Sequence, residues 1–220
     1  MGKLLTIINA LHTKTSREYL PRMNDDKVAC MLKAKAYGYD YWDGERRFGY
    51  GGYTYDGRWA VVAQKLIETY DLKEDASILD IGCGKGFLMY ELKKLLPKCR
   101  IVGFDSSSYA LLHAKEEIKE YTYQYDAART LGYSQNEFDL CYSINVLHNL
   151  PLYDLKHALQ EMSRVGKNCF FTTESYRNEQ ELFNLQCWAL TCESFFSPKE
   201  WEWIFQEFGY KGDYEFIYFE

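Results

Sequence analysis

Ser77-Ile78-Leu79-Asp80-Ile81-Gly82-Cys83-Gly84-Lys85-Gly86 decides the reading of this chain. Ser77 to Ile81 is a short apolar run with the length of a buried strand, and Gly82 ends it. Gly82, Gly84 and Gly86 make a tight turn, and Phe87 to Leu96 then reads as a helix halted by Pro97. Glycine at such a junction lets the backbone turn and come close to a ligand with no Cβ in between. So many glycines weaken a strand–helix junction unless something approaches it, which favours a ligand over a plain turn. Two phosphate-binding signatures fail here. A dinucleotide fingerprint needs glycine where Phe87 stands, and a P-loop needs Ser or Thr after Lys85, where Gly86 stands.

Outward from this turn, strands and helices alternate. A helix is expected over Ala60 to Tyr70. The second strand, Arg100 to Phe104, ends at Asp105. A helix follows from Ser108 to about Glu120, then a weak third strand at Tyr121 to Tyr125 ending at Asp126. Phe138 to Ile144 is the fourth strand, followed by a helix over Tyr153 to Val165 and a strand at Cys169 to Thr173. Another helix covers about Glu179 to Leu190. Ser197-Pro198-Lys199-Glu200 is a capping box with proline at the first helical position, opening a helix to Phe208 that Gly209 closes. Tyr214 to Phe219 alternates like a final strand. This order predicts an α/β fold: a Rossmann-like, doubly wound, mostly parallel sheet with helices on both faces. In such sheets ligands sit outside the carboxyl ends of the strands, near the switch point.

Composition sets the frame. At about 150 residues per domain, 220 residues predict one domain, or one domain with an extension. Hydrophobic residues at 47% and charged residues at 26% suit a globular core, and exclude a disordered tail or a collagen-like repeat. The net charge of −6 lacks the footprint of a protein that grips duplex nucleic acid. Seven Cys with no CxxC, three of them (Cys99, Cys141 and Cys169) inside apolar runs, predict free thiols and a reducing, cytoplasmic setting. Leu4 to Leu11 is apolar but has no long h-region or cleavage site, and no run approaches the ~18 apolar residues of a membrane span. His12, His113, His148 and His157 show no ligand spacing with Cys or Asp, so no metal is expected.

Residues 1–57 differ from the rest and are expected to form a helical and aromatic extension to a domain over 58–220. Asn24-Asp25-Asp26 can cap a helix through Lys27 to Ala36. Beyond it, Tyr37 to Trp59 is rich in Gly and also in Tyr and Trp, unlike a solvated linker.

The order of elements from about residue 59 to the end, with Asp80-Ile81-Gly82-Cys83-Gly84-Lys85-Gly86, resembles the class I S-adenosylmethionine (SAM) dependent methyltransferases. The resemblance implies a seven-stranded sheet, SAM as cofactor and S-adenosylhomocysteine as product. It assigns Asp80, Gly82, Cys83, Gly84 and Gly86 to the methionine half of the cofactor. Asp105, beside Ser106, would bind the ribose, because two carboxylate oxygens can accept from two neighbouring hydroxyls. Asp126 and Ala127 would meet the adenine, and Asn145 the sulfonium side. Often these enzymes are homodimers, although no interface signature stands out here.

The same resemblance carries a function. His148, after the fourth strand, would lie near the methyl acceptor, and an ordinary imidazole suits a general base. Phe48-Gly49-Tyr50-Gly51-Gly52-Tyr53 with Asp56-Gly57-Arg58-Trp59 looks like a bacterial subset associated with surface-polysaccharide and sugar biosynthesis. In that case the aromatic segment is a lid that excludes water and presents π faces to a cation. Tyr50, Tyr53 and Arg58 become candidate acceptor contacts, and Arg177, just past the fifth strand on the same rim, is a separate candidate to bind a carboxylate or phosphate of the acceptor. The expected activity is methyl transfer to oxygen or nitrogen of a small polar metabolite, a sugar or nucleotide-sugar, with no membrane insertion. The Asn/Asp-Pro-Pro-Tyr signature of base and glutamine methylation is missing. Other readings stay open: an RNA or protein methyltransferase, marked by a basic face around Lys33, Lys35, Arg46 and Arg47, or a silent SAM-binding regulator.

Overall fold

The computed structural model describes residues 2–12 and 17–220. Its sheet has six strands in the order β3-β2-β1-β4-β5-β6. They are β1 Ser77–Ile81, β2 Arg100–Asp105, β3 Thr122–Gln124, β4 Phe138–Ile144, β5 Gly166–Glu174 and β6 Asp213–Ile217. Every pairing is parallel. Parallel strands are covered on both faces, which is why β1 and β4 read as nearly unbroken apolar runs.

Helices α1 Asn9–His12, α2 Tyr19–Asn24, α3 Lys27–Lys35 and α4 Tyr39–Trp42 belong to the extension. The rest alternate with strands: α5 Ala60–Tyr70, α6 Phe87–Leu95, α7 Ser108–Leu112, α8 Glu116–Lys119, α9 Leu152–Val165, α10 Glu179–Trp188 and α11 Pro198–Phe208. One face of the sheet packs Val62, Leu66, Leu88, Leu92 and Leu185, and the other packs Leu155, Leu159, Met162, Trp201 and Phe205. The capping box of α11 forms as its sequence predicts, with the Ser197 amide donating to Glu200 Oε2 at 2.6 Å.

Two expectations need correction. The sheet has six strands among the described residues, not seven, because 189–197 between α10 and α11 runs without strand pairing. The outer edge of β6 is met instead by a single parallel bridge from Leu4 to Tyr214. There the Leu5 amide donates to Tyr214 O at 2.8 Å, and the Tyr214 amide to Lys3 O at 3.0 Å. Such a bridge blunts an otherwise open sheet edge. The single helix expected over Ser108 to Glu120 is two short ones. Lys115 is extended (φ −57°, ψ 129°), and its amide donates to Lys85 O at 3.0 Å rather than into a helix. All seven cysteines are free, and among the described residues no helix is long and apolar enough to cross a membrane.

Candidate active site

The strand order reverses between β1 and β4, and the carboxyl ends of β1, β2, β4 and β5 open there onto a cavity of about 540 Å³. That volume lies in the usual range for small-molecule sites. Asp80, Gly82, Cys83, Gly84, Asp105 and Ser106 line it, as do Asp126, Ala127, Asn145 and His148. Gly86 does not. It caps α6 at φ 72°, where a Cβ would meet Ile118 Cγ2 at 2.9 Å, so its glycine is explained by packing.

At the Gly-rich end, Asp105 holds the turn. Its Oδ2 accepts from the Gly84 amide and its Oδ1 from the Ser107 amide, both at 2.8 Å. Each oxygen keeps a lone pair, so a vicinal diol fits the remaining acceptor capacity. Asp80 is buried, accepts from the Tyr142 hydroxyl at 2.8 Å, and is pushed by burial up to about 8. No cation pairs with it among the described residues, and an ammonium would match it. Asn145 sits at φ 55° with its amide on Thr172, while the Thr172 hydroxyl donates to Asn145 Oδ1 at 2.9 Å. Asp126 accepts from the Ala128 amide at 2.9 Å. These residues fit a nucleoside carrying a zwitterionic amino acid.

The extension packs against this end. The Trp42 ring sits on Gly84, where a Cβ would come within 2.8 Å of Cη2. Trp42 Nε1 donates to Ser107 Oγ at 2.9 Å, and the Ser107 hydroxyl donates to Tyr37 O at 2.5 Å. Tyr50 stacks on Trp42 (centroids 5.4 Å apart, 15° between planes), and Tyr53 stacks on Phe87 at 4.9 Å. Tyr50, Tyr53 and Arg58 line the cavity. Arg58 is exposed and already paired with Asp56. Arg177 does not line the cavity; it pairs with Glu181 and Glu220 and lies over Tyr218.

Past the end of β4, His148 is 3% exposed, and burial pulls its pKa down to about 4. An imidazole expected near its ordinary value is therefore neutral at pH 7. Its Nδ1 is buried with no hydrogen-bond partner, and its Nε2 lies 3.7 Å from Glu174 Oε2. Glu174, the last residue of β5, also lines the cavity, and burial raises its carboxyl to about 7. Cys192 completes a trio whose donor atoms lie within 4.8 Å of one another, the one set among the described residues able to share a cation. Burial pushes the Cys192 thiol up, so a metal there would have to displace a firmly held proton. His148, Glu174 and Cys192 meet only through the fold, which is why sequence spacing does not flag them.

A family model described as "Methyltransferase domain" matches residues 72–209, more than half of the chain. The malonyl-[acyl-carrier protein] O-methyltransferase of Bacillus cereus is 28% identical over 151 residues, covering 63% of this chain and 55% of that protein. The chain thus spans about half the length of that curated relative. Among solved structures, the YcgJ protein of Bacillus subtilis superposes with a TM-score of 0.54 at 19% identity, over 66% of each chain. A SAM-dependent methyltransferase from Aquifex aeolicus gives 0.51 at 19% identity, over 67% of this chain and 78% of that one. At such identities the structures speak for the fold.

Proposed function

Because the chain belongs to the Methyltransferase domain family and its cofactor is SAM, we propose that it transfers a methyl group to oxygen or nitrogen of a small polar acceptor. One observation carries the proposal. A single cavity runs from the Gly82–Gly84 turn and Asp105 to a partly buried carboxyl, Glu174, and a buried imidazole, His148. Asp80, Asp105, Asp126 and Asn145 would hold the cofactor. When bound, SAM supplies an electrophilic methyl group on a sulfonium.

The chain's own part is positioning, water exclusion and proton removal. Trp42, Tyr50 and Tyr53 form a wall that keeps water from the Gly-rich end. Glu174 is the group best placed to take the acceptor's proton, since a base works best with a pKa near the working pH. His148 is its partner: neutral, buried, with Nε2 facing the carboxylate. The family resemblance gives the role of base to His148 alone; this proposal gives it to the pair.

A sugar or nucleotide-sugar acceptor remains within this proposal, resting on the resemblance of 48–59; the Bacillus cereus relative is named for a malonyl acceptor. A small acceptor is also favoured by the basic residues. Lys33 pairs with Asp40, Lys35 with Glu193 and Arg47 with Asp25, while Arg46 lines the cavity, so they make no open basic face. The test is calorimetric titration of SAM and S-adenosylhomocysteine into the protein and into Asp105→Ala. Micromolar binding, lost in the variant, is expected. Absence of binding to either ligand would remove the proposal, and binding without turnover across acceptors would leave a regulator.

A further inference from the structure

Three arginines gather around one indole in the wall of the same cavity. The guanidinium carbons of Arg22, Arg46 and Arg17 lie 4.4, 5.0 and 5.4 Å from the centre of the Trp188 ring. They come from separate places: Arg17 just before α2, Arg22 inside it, Arg46 from the loop after α4, and Trp188 from the last position of α10. All four residues line the cavity.

Their pairing sets Arg22 and Arg46 apart from other arginines of the chain. Arg47, Arg58, Arg100, Arg164 and Arg177 each hold a carboxylate. Among the described residues, Arg22 and Arg46 hold only main-chain carbonyls. Arg22 Nε donates to Trp188 O and its Nη1 to Arg46 O, both at 2.9 Å; Arg46 Nη1 donates to Gly49 O at 2.6 Å. A guanidinium carries five N–H donors, so each keeps donors to spare. Arg17 lies beside them, its Nη1 on His12 O at 3.3 Å and its Nη2 3.1 Å from His12 Nδ1. Burial and mutual repulsion lower the pKa of both Arg17 and Arg22, with Arg46 the repelling neighbour, and Arg22 falls to about 10. A guanidinium offers its N–H donors as a planar fork, which favours a planar or forked oxyanion over a bare point charge.

Arg22 and Arg46, two like charges that no carboxylate holds among the described residues, in a chain with six excess negative charges, mark a place built for an anion from outside. We propose that the methyl acceptor carries an oxyanion, a carboxylate or a phosphoryl group, which Arg22 and Arg46 bind. This rests on the methyltransferase reading of the cavity and narrows its acceptor to an anionic molecule. The arginines paired with acids, Arg58 and Arg177, are thereby replaced as anchors.

Inorganic phosphate and glutarate serve as probes for the two sources of that chemistry. Each is titrated by calorimetry into the protein, with and without saturating S-adenosylhomocysteine, and into Arg22→Gln and Arg46→Gln. At least one probe is expected to bind, with affinity falling roughly tenfold in either variant, as for loss of one charge-assisted contact. The product's own affinity should move less than twofold. The probe that binds identifies the source. If a variant does not fold, phenylglyoxal modification of the wild-type chain decides: the probe should slow reaction at Arg22 and Arg46, and leave exposed Arg129 unchanged. Binding of neither probe, or equal binding in folded variants, or no protection, overturns the proposal. Probe binding without any S-adenosylhomocysteine binding would overturn the methyltransferase reading instead and leave the anion site standing.

Discussion

The Lys85 ammonium lies 2.7 Å from both carboxylate oxygens of Asp43, and 2.9 Å from Tyr53 O. Lys85 belongs to the Gly-rich turn, and Asp43 follows α4 in the extension. The lysine that mimics a P-loop in the sequence therefore faces away from phosphate chemistry and ties the aromatic wall to the turn. Asp43 also accepts from the Tyr109 hydroxyl at 2.9 Å and the Tyr53 amide at 3.1 Å, and these bonds with Lys85 hold its carboxyl below its ordinary range.

Lys85 is buried, so removing one partner strands the other charge. Lys85→Met should cost about 3 kcal/mol in urea unfolding, the lower end for a broken buried pair. Asp43→Asn combined with Lys85→Met should recover a good part of it, because coupled residues are not additive. Equal losses that simply add would show that the pair is not a unit.

Gly84→Ala should weaken S-adenosylhomocysteine binding by at least about tenfold. The position has φ 55°, which costs a side chain about 1–2 kcal/mol, and the new Cβ would strike Trp42. Gly132→Ala, where a Cβ meets nothing within 4 Å, is the control and should bind as the wild type does. Calorimetry on both variants decides it.

Asp80 makes stability depend on pH in a distinctive direction. Its folded pKa near 8 stands above the ordinary 3.8, so between these values the folded chain holds a proton that the unfolded chain has lost. Stability falls as pH rises through that window, by up to about 1.4 kcal/mol per pH unit. His148 works the other way: its folded value near 4 lies below 6.5, so its contribution is lost as pH falls from 6.5 to 4. Above pH 6.5 that contribution is constant. Urea midpoints from pH 6.5 to 8 should therefore fall for the wild type and run flatter for Asp80→Asn. Parallel curves would mean that Asp80 is ionised in the folded chain.

Glu174 should set the pH profile of catalysis. A base must be deprotonated, so kcat/KM should rise with pH and be half-maximal near 7. Glu174→Gln should lower it roughly a hundredfold or more. His148→Asn should slow the reaction and leave the midpoint near 7, because the imidazole titrates far below that. A midpoint that vanishes with His148 and survives Glu174→Gln would return the base to His148.

What could be read in the sequence was what depends on neighbours along the chain. The strand into Gly82, the capping box at Ser197 and the acid ending β2 are local patterns, and each stands where its residues predict. The break at Lys115 was hidden because a distant carbonyl, Lys85 O, competes for its amide. Glu174 was hidden because its raised pKa comes from burial, which no window of sequence records. The three arginines were hidden for the same reason. Arg17, Arg22 and Arg46 have nothing in common until α10 brings Trp188 among them.

Glu215, in the last strand, accepts hydrogen bonds from the amides of Ile7, Ile8 and Asn9 at 2.7, 2.8 and 2.8 Å. The segment before α1 is thus clasped by the edge strand of the sheet. During synthesis the segment carrying Arg17 and Arg22 is made before the sheet and has no β6 beside it until that strand has followed. The cofactor-binding strands can pair while the acceptor wall is still waiting, so the site assembles from its cofactor side and is closed last by residues made before those strands.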